Sequence, residues 1–214
     1  MELSLSHVLP YPLKEMEHHA QSFWNSGTLE FQQGEVYEII APSGKGKTTL
    51  LDILFGKRKD FDGIYTINGS ATNKLPLQQW AAIRREHVSY VFQGLRLFKH
   101  LTGWENIAIK NRLTGYLSES DILLFAEKLA IADQLHKKAG LMSFGQQQRL
   151  ALIRALAQPF SWLLLDEPFS HIDRETAHEA AKLITSTCKE RGAGCIVTRL
   201  GSESYISANH QIIL

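Results

Sequence analysis

Apolar positions along the chain fall into two rhythms. Residues 34–41 (GEVYEIIA), 87–92 (HVSYVF), 160–165 and 194–198 (GCIVT) are short and mostly apolar and predict strands, with 211–214 as a last one. Runs of this kind, separated by helical stretches, point to a parallel sheet covered on both faces. The second rhythm is helical. Residues 48–55 follow directly on a glycine-rich loop, and 121–130 follow the capping signal Ser118-x-x-Asp121. Residues 146–157 are stopped by Pro159. Residues 173–191 carry Ala177, Ala180, Ala181, Ile184 and Cys188 at helical spacing, with Gly192 past their end. Between 94 and 140 the signals are mainly helical and no core strand stands out.

Composition narrows the picture. A length of 214 residues suits one domain, and 44% hydrophobic residues can build a sizeable core. The formal net charge of +1 gives no overall field to hold nucleic acid, and the Lys57-Arg58-Lys59 cluster reads as a solvated turn. The two cysteines, Cys188 and Cys195, have no metal spacing and predict reduced, buried thiols of a cytosolic protein. The first residues lack the basic start and apolar core of a signal peptide. The longest apolar runs fall far short of the ~20 residues a membrane span needs. The expectation is a soluble protein that can still work at a membrane by docking on a partner.

The chemistry concentrates in two places. In APSGKGKTTLLDILFG, residues 41–56, Gly46-Lys47-Thr48 matches the end of the phosphate-loop pattern G-x-x-x-x-G-K-[ST]. A glycine-rich turn that opens a helix presents backbone N–H groups and the helix dipole to one anion. Lys47 would reach the β- and γ-phosphates, the Thr48 hydroxyl would bind Mg²⁺, and Gly44 and Gly46 let the backbone curl without Cβ clashes. The second place is Leu163-Leu164-Leu165-Asp166-Glu167-Pro168, an apolar strand ending in two acids. Ligands of open α/β sheets bind beyond the carboxyl ends of the strands. There Asp166 would hold Mg²⁺ and Glu167 would polarise the water that attacks a γ-phosphate.

Upstream of that strand, Met142-Ser143-Phe144-Gly145-Gln146-Gln147-Gln148-Arg149 resembles the signature L-S-G-G-Q-x-Q-R of ATP-binding cassette (ABC) ATPases. Val91-Phe92-Gln93 resembles their Q-loop and Ser170-His171-Ile172-Asp173 their D-loop, all in family order. The stretch 88–107 resembles the lipoprotein-release and macrolide-export subfamily. The resemblance implies an α/β fold: a P-loop NTPase core with a mostly parallel sheet flanked by helices (1–93 and 158–214), an inserted helical subdomain (about 94–157) and an N-terminal antiparallel β part. It implies that ATP and Mg²⁺ bind along Ala41, Pro42, Ser43, Gly44, Lys45, Gly46, Lys47, Thr48 and Thr49, with Gln93 also at the metal. Ser143, the Gly145 N–H and Gln146 would reach the γ-phosphate held by a second, head-to-tail cassette. Tyr11, after an N-terminal strand containing Leu3, Leu5 and Val8, would stack on adenine, with Phe23 and Trp24 as rivals. The implied protein is one half of a homodimer that hydrolyses ATP to drive a membrane permease from the cytoplasmic face of the inner membrane, without nucleic acid.

Three positions depart from the family pattern. Ala41 replaces the first glycine of the phosphate loop, which is tolerable where φ is negative. Phe144 replaces the first glycine of the signature pair and could crowd the partner's nucleotide or turn away. Arg199 stands where the family has a switch histidine. It could bind a γ-phosphate, but it is a donor only and cannot shuttle protons. The alternative for Arg199 is a surface ion pair. Slow hydrolysis is therefore expected, and the second functional reading is a weakly hydrolysing, nucleotide-gated regulator of a membrane complex.

Overall fold

The computed structural model describes residues 1–25, 27–199 and 204–214. In chain order the elements are β1 (Leu3–Pro10), β2 (Thr28–Phe31), β3 (Val36–Ile40), α1 (Lys47–Leu54), β4 (Phe61–Ile67), β5 (Ser70–Ala71), α2 (Leu77–Glu86) and β6 (Val88–Val91). They continue with α3 (Gly103–Asn111), α4 (Glu119–Lys128), α5 (Phe144–Leu156), β7 (Trp162–Asp166), α6 (Arg174–Glu190), β8 (Gly194–Arg199) and β9 (His210–Ile213). One sheet is parallel, in the order β6-β7-β8-β3-β9, and the other is antiparallel, in the order β2-β1-β4-β5.

Strand alternation explains the layering. Along β7, Trp162 and Leu164 face the cluster formed with α1, β1 and Phe31, while Leu163 and Leu165 face the cluster formed with α5 and α6. Both faces of the strand are covered, which is why its sequence reads as an unbroken apolar run. The helices between β6 and β7 have no separate core. Ile107 of α3, Ile122 and Ala126 of α4 and Leu150 of α5 share the second cluster with β7 and α6.

Helix starts follow their caps. Thr102, Ser118 and Ser143 each accept a hydrogen bond from the N–H three residues on, and each is answered by the side chain there. Such reciprocal caps satisfy two otherwise orphaned donors. They also correct two expected boundaries: α4 begins at Glu119 rather than 121, and α5 at Phe144 rather than 146. β2, β4, β5 and α2 were not anticipated individually. α2 buries only Trp80 among its ten residues, so its apolar stripe is too thin to show in the pattern.

Candidate functional site

β3 feeds the phosphate loop and α1 leaves it. Gly44 has φ +77° and Gly46 φ +98°, and Ala41 is not among the residues of positive φ, so alanine fits there without strain. Gly46 is needed on a second ground. A Cβ on it would lie 2.8 Å from Leu13 Cδ1 and 3.1 Å from the Trp24 ring. Trp24 is buried, and its Nε1 donates to the Lys45 carbonyl at 3.2 Å. Phe23 and Trp24 are therefore core residues, and Trp24 braces the loop from behind. Tyr11 is half exposed, and Lys14 Nζ lies over one face of its ring, 4.4 Å from the centroid.

The loop's cation is already engaged. Lys47 is buried and its Nζ donates to the Ala41 carbonyl at 2.9 Å and the Pro42 carbonyl at 3.3 Å. It also forms an ion pair with Glu167 Oε1 at 3.5 Å. Thr48 Oγ1 donates to Asp166 Oδ2 at 2.7 Å, and Gln93 Nε2 donates to Glu167 Oε2 at 3.1 Å. Five predicted site residues from three separate segments, Lys47, Thr48, Gln93, Asp166 and Glu167, thus converge beyond the carboxyl ends of β3, β6 and β7 in one parallel sheet.

Thr198 was quoted in the sequence but given no role, and it ties the two acids together. Its hydroxyl donates to Asp166 Oδ1 and accepts from the Glu167 N–H, both at 2.9 Å. Glu167 has φ +51°, a left-handed conformation that is uncommon for a residue with a long side chain. Three neighbours hold it: Thr198 on its N–H, and Gln148 Nε2 (3.0 Å) and Ser170 Oγ (3.1 Å) on its carbonyl. Burial pushes the Asp166 carboxyl up, and the Thr48 and Thr198 hydroxyls pull it back in part. A hydroxyl residue at the end of a buried strand next to the acidic one is the signal that could have found Thr198.

The signature residues sit elsewhere. Ser143 and Gln146 cap one another at the start of α5, with Gln146 N–H to Ser143 Oγ at 3.2 Å and Ser143 N–H to Gln146 Oε1 at 2.9 Å. A Cβ on Gly145 would come within 2.7 Å of the His171 carbonyl. The Phe144 ring lies edge-on to His171 at 4.4 Å between centroids. The signature is therefore packed on the loop at 170–173, and Phe144 turns toward that loop. The ion pair expected for Arg199 as the alternative to a phosphate contact is present, but it is not at the surface. Its Nε lies 3.2 Å from Oε1 of Glu38, whose side chain is only 3% exposed.

Comparison with known proteins gives a consistent result. The sequence profile described as "ABC transporter" matches residues 25–170. The macrolide export ATP-binding/permease protein MacB of Pectobacterium atrosepticum is 33% identical over 176 residues, 79% of this chain but 27% of that protein. The chain thus spans little more than a quarter of that relative's length. The ABC transporter ATP-binding protein YtrE of Bacillus subtilis is 33% identical over 180 residues, 79% of this chain and 75% of that protein. Among solved structures, the dimeric MJ0796 cassette superposes with a TM-score of 0.78 at 28% identity, covering 92% of this chain and 87% of its own. The same cassette bound to ADP and Pi, described as a post-hydrolysis state, gives the same score and identity. The chain belongs to the ABC transporter family.

Proposed function

We propose that this chain is the ATP-binding and ATP-hydrolysing cassette of a transporter, working as a head-to-tail pair on a membrane permease. The observation that carries the reading is the convergence of Lys47, Thr48, Gln93, Asp166 and Glu167 on one point beyond the strand ends. The main-chain amides of residues 43–48, with Lys47, would bind the β- and γ-phosphates. Thr48 Oγ1 and Asp166 Oδ2 are hard oxygen donors of the kind Mg²⁺ takes, with phosphate oxygens and water completing its shell. Mg²⁺ held there would supply charge neutralisation for the phosphates.

Lys47 pairs with Glu167. Drawing Lys47 toward phosphate frees the Glu167 carboxylate to accept a proton-side hydrogen bond from the attacking water. Gln93 holds the other carboxylate oxygen and fixes its direction. Ser143, Gly145 and Gln146 make their contacts with α5 and the loop at 170–173, not with residues 41–49. Their fit is to a nucleotide on a second cassette, where a helix start faces the anion. Tyr11 offers its face to adenine.

The relatives matched, one of them an ATP-binding/permease protein, support a permease partner and a place at the cytoplasmic face of a membrane. No helix among the described residues is long and apolar enough to cross a membrane. Phosphate release by the wild type and Glu167→Gln tests the reading. The wild type should turn over Mg-ATP, and the variant should lose about 10²-fold or more of the rate while still binding ATP. Undiminished turnover by Glu167→Gln would remove Glu167 from its role.

A further inference from the structure

We propose that Glu38 is a positioning residue that anchors Arg199 at the wall of a cavity that Glu167 also lines, so that Glu38 and Arg199 act as one unit there. The inference rests on the proposed ATP hydrolysis at this site. Glu38 lies in the middle of β3, between β8 and β9. It is 2% exposed, and a carboxylate so placed is costly unless its charge and lone pairs are answered.

The answers come from three segments of the chain. Arg199 Nε stands 3.2 Å from Oε1, Ser204 Oγ donates to the same oxygen at 2.8 Å, and Gln211 Nε2 donates to Oε2 at 3.2 Å. Apolar side chains would fill this position in a doubly covered strand, so the acid marks a specific task. Its neighbours indicate the task. Arg199 directly follows Thr198, whose hydroxyl grips both Asp166 and the Glu167 N–H. Glu38, Glu167, Thr198 and Arg199 line one cavity of about 280 Å³.

A guanidinium is always charged and sits on a long flexible arm. Fastened to Glu38, that arm stays at the wall of the cavity that Glu167 also lines. Released, it would spread over rotamers facing solvent. Because neither a histidine nor a proton relay is involved, the pair acts through placement and electrostatics alone.

The test is steady-state phosphate release by the full chain. Glu38→Gln keeps the shape and an acceptor oxygen but removes the charge. Its kcat should fall about tenfold, equivalent to about 1.4 kcal/mol of barrier, with KM for ATP unchanged. In an Arg199→Ala background the same change should cause no further loss, and Glu38→Asp should recover part of the rate. The neutral pair Glu38→Gln with Arg199→Gln, which leaves no buried charge unanswered, covers the case in which the single variant does not fold. Its kcat should equal that of Arg199→Gln alone. Wild-type kcat in Glu38→Gln, or losses that multiply with those at Arg199, would overturn the proposal. A wild type that binds no Mg-ATP and releases no phosphate would instead remove the reading beneath it.

Discussion

Replacing Thr198 with valine should unfasten both acids at once. Valine keeps the branched shape, so the loss is confined to the hydroxyl, which is 1% exposed in the native fold. Two hydrogen bonds disappear: Thr198 to Asp166 Oδ1 and Glu167 N–H to Thr198, both 2.9 Å. A hydrogen bond to a charged group contributes about 1.5–3 kcal/mol, and a neutral one about 0.5–1.5. Their sum is about 2–4.5 kcal/mol of stability, with a buried N–H and a buried carboxylate oxygen left short of a partner. For a domain of this size each kcal/mol moves Tm by about 2–4 °C, so thermal denaturation should show a fall of roughly 4–18 °C. Turnover should fall further than the melting shift explains, because the left-handed Glu167 backbone loses its N–H anchor. Thr198→Ser, which restores the hydroxyl, should return most of both. A valine variant with wild-type Tm and wild-type turnover would refute the claim that Thr198 sets the acids.

Further perturbations separate other parts of the account. In the folded state burial raises the Asp166 carboxyl above its ordinary range, so its contribution to stability is fullest below the unfolded value of about 4 and is lost as pH rises through the folded value. Asp166→Asn should therefore raise Tm most at pH 7–8 and progressively less toward pH 4, while weakening Mg²⁺-dependent nucleotide binding; a Tm gain that grows on acidification would contradict the sign. Gly46→Ala combines φ +98° with a 2.8 Å approach to Leu13 and should destabilise by about 2–4 kcal/mol. Gly34→Ala has φ +92° but open space, so it should lose only about 1–2 kcal/mol; equal denaturation midpoints would show that packing behind the loop is unimportant.

The parallel strands were legible because burial on both faces writes itself as runs such as WLLLD in β7. The phosphate loop and the acidic pair were legible because their chemistry needs adjacent residues. What the sequence hid depends on contacts across the chain. Thr198 touches Asp166 and Glu167 from another strand, and Gln148 reaches the Glu167 carbonyl from α5. Glu38 reads as an interruption in an apolar run until β8 and β9 bring Arg199 and Gln211 to it. Arg199 stands out in the sequence as a departure from the family pattern, but no local pattern shows that a buried acid holds it. α2 and the short antiparallel strands carry too few buried residues to impose a rhythm of their own.

The central claim is that the loop around Lys47 seats the phosphates of magnesium-bound ATP. Isothermal titration of the purified chain with ATP in the presence of Mg²⁺ tests it most directly, run in parallel on Lys47→Ala. The account predicts saturable binding by the wild type that the alanine variant loses while keeping a cooperative melt. Binding of equal strength in both proteins, or in neither, would contradict it.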